Sequence, residues 1–362
     1  MNLNTMQFTE KYFPEIGEVS IIVDNYAYWL NQKHGKSIIV APVYNDYLDN
    51  KPFSVVRSKA KNLKDVLKKQ KCDIIHFHSP LGNGEVAVKL ASDWKIPVVT
   101  TFYPQYYYGI KERLRNRYMK KYIQLFNNVD CLFTTTPMMI DILQYYGYQK
   151  EIRLIKGGSD LAYDDKNRTK DKDYIDHLHN INVDANILLY VGTLSWDRNL
   201  RLLLEALANL IDFRQNFKMI FIGEGPARNE MVKFVNENQL SKYVVFVGEV
   251  TDRLQLMKYY AQANLLVYPL PYDSTALAIR EAASFNCPSL ALKDVTSIIK
   301  DNYNGYLSEN NSLSYAQRII SSLNERNKER VGFTANETLA ISYEKLVDEL
   351  SGHYFEIIKA SK

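Results

Sequence analysis

The segment DSTALAIREAASFNCP, residues 273–288, gives the most direct indication of the fold and of a binding site. It follows an apolar strand predicted over 265–268 and runs into a helix predicted over 276–285. Free backbone N–H groups at the start of a helix, together with its dipole, can bind an anion such as a diphosphate. Two acids separated by seven residues, Asp273 and Glu281, can accept hydrogen bonds from hydroxyl groups. These features predict a nucleotide-sugar pocket; the alternative is an ordinary strand–loop–helix unit with surface acids.

The rest of the chain repeats this alternation of short apolar strands and amphipathic helices. In the helix predicted over 19–33, apolar residues share one face and Gly35 follows as a C-cap. The alternation predicts parallel sheets with helices on both faces, in two doubly wound domains. The predicted strands are 37–41, 74–77, 98–101, 131–134, 152–156, 187–191, 218–222, 244–247, 265–268 and 289–292. The predicted helices are 19–33, 62–69, 85–94, 111–125, 138–145, 200–211, 227–237, 254–262, 276–285 and 343–358.

Length and composition indicate a globular protein with enough chain for two domains. The 362 residues are 46% hydrophobic and 24% charged. No run of about 18 apolar residues is present, and the N-terminal residues lack the pattern of a secretory signal. Three widely spaced cysteines suit buried free thiols in a reducing compartment. We therefore expect a cytoplasmic protein, and the net charge of +4 is too small to indicate nucleic-acid binding.

Two patterns mimic metal sites. His76 and His78 lie two residues apart on one predicted strand, but no acid partner is evident in the sequence, so we favour packing at the strand end. Asp171 and Asp173 fall in the polar run DDKNRTKDKD, residues 164–173, which lacks apolar periodicity and is predicted to be a linker. We expect no metal in this protein.

Nine segments match a known family in order and spacing. Those in the first half are YFPEIGEVS (12–20), DIIHFHSP (73–80), IPVVTTFY (96–103) and LIKGGSD (154–160). Those in the second half are YVGTLSWDRNLRLLLEAL (190–207), FIGEGPARNEM (221–231), FVGEV (246–250), the opening segment, and DNYNGYL (301–307). By these motifs the chain resembles the family-4 retaining glycosyltransferases of the GT-B fold. The resemblance implies an α/β protein with two facing Rossmann-like domains and a C-terminal helix that crosses back to the first domain.

The resemblance also implies an activity. It predicts transfer of a sugar, with retention, from a nucleoside-diphosphate sugar to a cell-envelope or surface-glycan acceptor, glycan or lipid-linked. A UDP-sugar is the favoured donor, and no cofactor is expected. Residues 1–163 would form the acceptor domain, 164–178 the linker, 179–335 the nucleotide-sugar domain and 336–362 the returning helix.

The matched motifs imply roles for individual residues. Glu281 would hold the ribose, Asp273 the donor sugar, and Arg198 the charge of the diphosphate. Tyr103 stands where the family commonly has a histidine beside the reacting sugar. The other residues implied in donor binding are Gly17, Thr193, Gly223, Val247, Thr275, Ala276 and Leu277.

Several of these positions depart from the family's pattern. Glu18 replaces the second glycine of a Gly-Gly loop and brings a negative charge beside an anion. Thr193 replaces an arginine at the diphosphate, and Arg198 replaces a lysine. Asp273 is one methylene shorter than the usual acid, and Ala276 stands in for a glycine. These departures support an alternative function, a catalytically silent glycosyltransferase-like subunit that binds an active partner or a glycan.

Aromatic and basic residues of the first half suggest an acceptor or membrane contact. Tyr106 and Tyr107 either line an acceptor site or form an aromatic lid on the sheet edge. Residues 111–121, KERLRNRYMKK, include Lys111 and Arg115 and can form a basic helix face that docks on the inner face of a membrane. A solvated basic face is the alternative. At about 1 kcal/mol per cation near an anionic surface, only weak, salt-sensitive association is expected.

Overall fold

The computed structural model describes two compact units within one chain. One unit comprises Met1–Gly157 together with Tyr343–Lys362, and the other comprises Gly158–Ser342. The described residues are 2–45, 47–57, 63–67, 70–80, 82–161, 179, 181, 185–213, 216–272 and 274–361. The predicted linker, 164–178, lies outside them, so the predicted domain boundaries stay predictions.

The first unit is built on a parallel sheet. Its strands are β1 (Thr5–Phe8), β2 (Ser37–Ala41), β3 (Ser54–Arg57), β4 (Ile74–Phe77), β5 (Val98–Phe102), β6 (Cys131–Thr134) and β7 (Ile152–Leu154). Their spatial order is β3-β2-β1-β4-β5-β6-β7, and every neighbouring pair is parallel. Strands β1, β2, β4, β5 and β6 are buried at every position, as expected for a sheet covered on both faces.

Amphipathic helices connect these strands. They are α1 (Glu18–Lys33), α2 (Leu63–Leu67), α3 (Asn83–Trp94), α4 (Gln105–Tyr108), α5 (Glu112–Phe126) and α6 (Pro137–Tyr145). In α1 the apolar face predicted from the sequence is buried, including Val19, Val23, Tyr26 and Leu30. The helices therefore cover the sheet with the faces that their periodicity predicts.

The second unit repeats this plan. Its strands are β8 (Asn186–Val191), β9 (Phe217–Ile222), β10 (Val244–Gly248), β11 (Leu265–Tyr268), β12 (Ser289–Leu292) and β13 (Tyr306–Ser308). Their spatial order is β10-β9-β8-β11-β12-β13, again with parallel neighbours. The helices are α7 (Leu200–Asp212), α8 (Arg228–Glu237), α9 (Arg253–Gln262), α10 (Leu277–Ala283), α11 (Ser312–Asn324) and α12 (Lys328–Leu339).

The C-terminal helix, α13 (Tyr343–Ala360), belongs to the first unit and packs on α1. The rings of Tyr343 and Tyr26 meet edge to face with centroids 6.0 Å apart. Lys33 at the end of α1 pairs with Asp348 at 2.6 Å. The prediction that this helix returns to the first domain is confirmed, and each unit has the predicted Rossmann-like plan.

Six elements were not predicted from the sequence, and they include both short strands and two longer helices. Strands β1, β3 and β13 and helices α4, α11 and α12 were not predicted. The missed strands have three or four residues and mix polar with apolar side chains, so they lack a periodic signal. The strand predicted over 152–156 ends at Leu154, and the helix predicted over 276–285 covers only Leu277–Ala283.

In each sheet the first strands are added in sequence toward one edge, and the later strands are added toward the opposite edge. The point between these two series is the topological switch point. In the first sheet this switch point lies between β1 and β4, and in the second between β8 and β11. In open α/β sheets, ligands bind outside the C-terminal strand ends at such a point. The fold thus indicates one candidate ligand edge in each unit.

Candidate functional site

The predicted donor-binding residues of the second unit follow four neighbouring strands. Thr193 and Arg198 follow β8, Gly223 follows β9, Val247 lies in β10, and residues 275–277 follow β11. Because the strands are parallel neighbours, their C-terminal ends lie at one edge of the sheet. The structure therefore brings these residues to the edge that contains the switch point.

Gly223 lets the turns after β8 and β9 touch. Its φ of +134° favours glycine, and its N–H donates to the Gly248 carbonyl oxygen at 2.8 Å. A methyl group at Gly223 would lie 2.1 Å from the Gly192 carbonyl oxygen, so a larger residue would force the two turns apart. The Gly192 N–H donates to the Ile222 carbonyl oxygen at 3.0 Å. The turns after β8, β9 and β10 thus form one hydrogen-bonded layer.

Arg198 supplies a cation to this layer of turns. Its Nη1 would lie 3.7 Å from a methyl group placed on Gly192. The buried Tyr190 hydroxyl donates to the Thr193 carbonyl oxygen at 3.0 Å. Burial raises the pKa of Tyr190, and the nearby Arg198 guanidinium opposes that rise. Arg198 therefore lies against the turn that carries Thr193, and its contact with a diphosphate stays a prediction.

The loop after β11 contains a residue in a left-handed conformation. Ala276 has a φ of +56° and a ψ of +41°, which costs a residue with a Cβ about 1 kcal/mol. Its N–H donates to Ser274 Oγ at 3.0 Å, while the buried Thr275 hydroxyl has no partner among the described residues. A glycine would avoid this strain, which gives a physical reason for the glycine that the resemblance implies at 276. Leu277 begins α10, and Asp273 lies outside the described residues.

Glu281 is part of an internal network. It lies in α10, with its side chain 3% exposed. Arg253 Nη2 donates to its Oε1, and the Tyr260 hydroxyl donates to its Oε2 at 2.7 Å. Arg253 also holds Asp160, with 3.0 Å between Nε and Oδ2. The acid predicted to hold the ribose thus has both carboxylate oxygens engaged by residues of α9.

Burial and charge act in opposite directions on Glu281. Burial raises the pKa of this carboxyl above its ordinary value, and the nearby Asp160 carboxylate adds to the rise. The Arg253 guanidinium and the Tyr260 hydroxyl lower the pKa by stabilising the ionised form. The Arg253 guanidinium therefore opposes the effect of burial on the pKa of this carboxyl.

Sequence reasoning did not identify Arg253, Asp160 or Tyr260. Arg253 is separated from Asp160 by 93 positions in the chain and from Glu281 by 28. A charged residue immediately before a predicted helix usually contacts solvent, and only the folded structure brings these residues together. The segment LIKGGSD, residues 154–160, was recognised as a motif without a role for its last residue.

Tyr103 is buried in the first unit. Its hydroxyl lies 2.9 Å from His78 Nδ1, and His78 Nε2 lies 2.8 Å from Gln7 Oε1. Because the amide oxygen of Gln7 can only accept, His78 Nε2 donates to it and Tyr103 donates to Nδ1. Burial lowers the pKa of His78 to about 3, so the imidazole is neutral. Tyr103 is therefore held inward by a neutral histidine, and its contact with a sugar stays a prediction.

His76 packs beside His78 at the end of β4. The two rings stack with centroids 4.0 Å apart. His76 Nδ1 lies 2.5 Å from the Tyr354 hydroxyl of α13, and Nε2 lies 2.8 Å from Thr101 Oγ1. Burial lowers the pKa of His76 well below its ordinary value. Both histidines thus have protein partners that suit strand-end packing.

The Gly17–Glu18 loop begins α1. Gly17 has a φ of −165°, an extended conformation open to any residue, and a methyl group there would meet no atom within 4 Å. Its N–H donates to Ser20 Oγ at 2.7 Å. Glu18 lies in the first turn, where a carboxylate interacts favourably with the helix dipole. Neither sterics nor conformation demands a glycine at 17, and its part in donor binding stays a prediction.

The predicted acceptor or membrane residues lie together on α4 and α5. The Tyr106 hydroxyl shares a hydrogen bond of 3.0 Å with Ser79 Oγ. The Arg115 guanidinium carbon lies 4.6 Å from the centroid of the Tyr107 ring, a cation–π distance. Lys111 is exposed and immediately precedes α5. Aromatic and basic side chains therefore adjoin on this surface, and its role stays a prediction.

The described ranges contain neither a candidate metal cluster nor a candidate membrane span. There, no group of three or more histidine, cysteine, aspartate or glutamate residues is placed to hold a metal ion. No described helix combines the length and the apolar character that a membrane span requires. The three cysteines are free thiols, and burial raises the pKa of each to about 12.

Family models match both halves of the chain. Residues 17–163 match the model described as Glycosyltransferase Family 4, and residues 171–338 match the model described as Glycosyl transferases group 1. Together these matches extend over most of the sequence, in the order that the motifs predict.

Curated relatives and solved structures agree with these models. An alpha-monoglucosyldiacylglycerol synthase of Streptococcus pneumoniae is 22% identical over 309 residues, covering 78% of this chain and 70% of the relative. An uncharacterized glycosyltransferase of Methanocaldococcus jannaschii is 23% identical over 367 residues, covering 96% of each. The sucrose-phosphate synthase of Thermosynechococcus elongatus has a TM-score of 0.84 at 19% identity, covering 99% of this chain and 100% of that one.

A further solved neighbour is Anabaena HepE in complex with UDP and glucose. It has a TM-score of 0.78 at 14% identity and covers 98% of this chain and 100% of that one. At such identities the structural likeness establishes the fold, while the family models carry the assignment. The chain belongs to the glycosyltransferases, with a family 4 domain followed by a group 1 domain on the GT-B fold.

Proposed function

We propose that this glycosyltransferase moves a sugar from a nucleoside-diphosphate sugar, with retention, to a glycolipid or surface-glycan acceptor. The observation that carries the proposal is the layer of turns at the C-terminal edge of the second sheet. There Gly223 permits close backbone approach and Arg198 adds a cation, next to the switch point between β8 and β11. A guanidinium held against the turns at such an edge suits a diphosphate.

In this proposal the chain acts on the leaving diphosphate. As the bond between the anomeric carbon and the diphosphate oxygen breaks, negative charge builds on the diphosphate. Arg198 and the N–H groups of residues 275–277 would stabilise that charge, the Ala276 N–H by exchanging its bond to Ser274 Oγ for one to the diphosphate. One such contact is typically worth about 3–4 kcal/mol. Glu281 and Asp273 would accept hydrogen bonds from the hydroxyls of the ribose and of the donor sugar.

The comparisons support a UDP-sugar donor and a lipid-linked acceptor. HepE is solved with UDP and glucose, and the curated relatives include two alpha-monoglucosyldiacylglycerol synthases. The basic surface that combines α4 and α5, with Lys111, Arg115 and Tyr107, would hold the protein weakly on an anionic membrane. We place the enzyme in the cytoplasm, peripheral to the membrane that carries its acceptor.

A second candidate function is a silent subunit that binds an active glycosyltransferase or a glycan. The observation in its favour is the Glu281 carboxylate, which Arg253 and Tyr260 already engage. Thr193 and Glu18 also favour this candidate, since neither side chain carries a positive charge that could neutralise a diphosphate. A silent subunit of this kind would keep the fold but would not transfer the sugar from the donor.

Equilibrium binding tests the donor site. Calorimetric titrations with UDP, UDP-glucose, UDP-galactose and GDP-mannose should detect binding of the uridine compounds. Arg198→Met should weaken that binding about tenfold, because a charge-assisted contact is lost. Arg201→Met is the matched control, since Arg201 lies on the exposed side of α7, 65% exposed and paired with Glu205. Failure of the wild-type protein to bind any of these nucleotides would contradict the proposed transferase.

A further inference from the structure

The switch point of the first sheet carries a carboxylate that the donor site does not use. Glu10 follows β1 by two positions, and Ser79 follows β4 by two positions, so they flank the point where the chain order reverses. The Glu10 N–H donates to Ser79 Oγ at 3.1 Å, and Ser79 Oγ shares a hydrogen bond of 3.0 Å with the Tyr106 hydroxyl. Buried Ser79 therefore ties the loops after β1 and β5 together at the edge where open α/β sheets bind ligands.

Local backbone geometry makes room for the Glu10 carboxylate. A methyl group at Gly82 would lie 2.9 Å from Glu10 Oε1, and the φ of Gly82 is +58°, so a side chain there would displace the carboxylate. The Asn83 backbone N–H, at the start of α3, lowers the pKa of this carboxyl against the effect of burial, and Asn83 Nδ2 donates to the Thr9 carbonyl oxygen at 2.8 Å. The start of α3 is thus already occupied by a negative charge, which would repel a phosphate.

An aromatic ring lies beside Ser79, which joins the Glu10 backbone to Tyr106. The half-buried Tyr106 packs against Phe102 in a stacked arrangement, with 6.3 Å between centroids. Burial raises the pKa of Tyr106 and of Tyr122, and the Glu10 charge adds to both rises. Burial also raises the pKa of Glu10 itself. A half-buried carboxylate that accepts hydrogen bonds, together with an aromatic face, suits a molecule with hydroxyls on one side and C–H groups on the other.

We propose that Glu10 and Tyr106, held by Ser79, form the subsite for an uncharged, hydroxyl-bearing headgroup of the acceptor, a sugar or polyol. The Glu10 carboxylate would accept hydrogen bonds from two neighbouring hydroxyls and would disfavour a phosphorylated headgroup by like-charge repulsion. This inference rests on the proposed transferase function and names the chemical class of its acceptor.

A single substitution separates binding from helix capping. Glu10→Gln keeps an oxygen that can accept from the Asn83 N–H, so the start of α3 stays satisfied while the charge is lost. Glu15→Gln is the matched control on the same loop, because Glu15 is 45% exposed and pairs with Lys11 at 2.7 Å. A purely structural Glu10 would show equal ligand binding in Glu10→Gln and in the wild type.

Saturation-transfer NMR with small probes tests the subsite without any need for turnover. The neutral probes are methyl α-D-glucopyranoside, methyl α-D-galactopyranoside and glycerol, and the charged probe is glucose 1-phosphate. The wild type should bind at least one neutral probe and prefer methyl glucoside to glucose 1-phosphate. Glu10→Gln should weaken the neutral probe about tenfold and reduce the preference, with no change in Glu15→Gln. Absence of binding by every neutral probe, or unchanged binding in Glu10→Gln, would overturn the inference.

UDP titrated into the same samples separates this inference from the proposed function. Wild-type and Glu10→Gln proteins should bind UDP equally, because Arg198, Glu281 and residues 275–277, which carry the proposed donor contacts, lie in the other unit. Binding of UDP without binding of the neutral probes would overturn the acceptor subsite alone. Binding of the probes without UDP would contradict the proposed donor site while leaving a carbohydrate-binding first unit.

Discussion

Arg253 and Glu281 form an ion pair in which the acid is buried and the base reaches the surface. The side chain of Glu281 is 3% exposed and that of Arg253 is 31% exposed. Tyr260 donates to the second carboxylate oxygen at 2.7 Å. A ribose could therefore bind Glu281 only through its remaining lone pairs or by displacing Arg253. The pKa of Glu281, the acid predicted to hold the ribose, depends on this arginine.

Arg253→Met should make stability fall as pH rises. Arg253 lowers the pKa of Glu281 against the effect of burial, so its loss should raise that pKa further above the ordinary 4.5. An acid with a raised pKa binds more protons in the folded state than in the unfolded state. The free energy of unfolding then falls as pH rises from the ordinary pKa through the raised one.

Urea denaturation at pH 5 and pH 8 measures this effect. The variant should lose about 3 kcal/mol at pH 8, near the low end for a broken buried pair because Arg253 is partly exposed, and less at pH 5. Adding Glu281→Gln should restore part of the loss at pH 8. Lys293→Met, which breaks a pair with the exposed Glu309, should leave the pH profile unchanged. Equal losses at both pH values would contradict the assigned role of Arg253.

Glu281→Gln should weaken the binding of UDP and of UDP-sugars alike. One charge-assisted hydrogen bond to the ribose is worth about 1.5–3 kcal/mol. Calorimetry measures the change, with Glu309→Gln as the control at a 62% exposed acid of the same unit. An unchanged affinity in Glu281→Gln would remove this residue from the ribose site and leave it a structural partner of Arg253.

The strands and turns at this sheet edge could be predicted from the sequence because their signals are local, whereas their role in donor binding stays a prediction. The strand–loop–helix pattern around 273–288 and the glycine turn at Gly223 each occupy a few neighbouring residues, and the structure puts them at one sheet edge. The Asp160–Arg253–Glu281 network and the Glu10–Ser79 contact join distant positions, so no local pattern reveals them. Tyr103 was aligned by a motif that says nothing about burial, and the structure turns its hydroxyl inward to His78.

Ala276→Gly should stabilise the second unit, in contrast to the usual effect of glycine in a helix. Ala276 has a φ of +56°, where a Cβ costs roughly 1 kcal/mol and glycine does not. Ala208→Gly is the matched control, since Ala208 lies inside α7, where glycine should destabilise by about 1 kcal/mol. Chemical denaturation of both variants measures whether each substitution raises or lowers the free energy of unfolding. Destabilisation of the same size in both would refute the strain assigned to Ala276.

Charge reversal on α5 should abolish binding to anionic vesicles. Arg113 and Arg117 are exposed, so Arg113→Glu/Arg117→Glu changes the surface charge without disturbing the core. Co-sedimentation of the wild type with phosphatidylglycerol vesicles should be detectable at low salt and fall steeply as salt is added. Lys233→Glu/Lys242→Glu is the control pair, exposed residues of the other unit. Wild-type binding to neutral vesicles of equal strength, or no binding at low salt, would favour a solvated basic face.

Release of free UDP tests the central claim of sugar transfer most directly. UDP-glucose and UDP-galactose would be incubated with the wild-type protein, with and without 1,2-dioctanoylglycerol micelles or a crude envelope extract. The account predicts UDP release that increases with an acceptor and falls about a hundredfold or more in Arg198→Met, because the leaving diphosphate loses its cation. A wild-type protein that binds UDP yet releases none from either donor, with either acceptor, would contradict the transferase and leave the silent subunit.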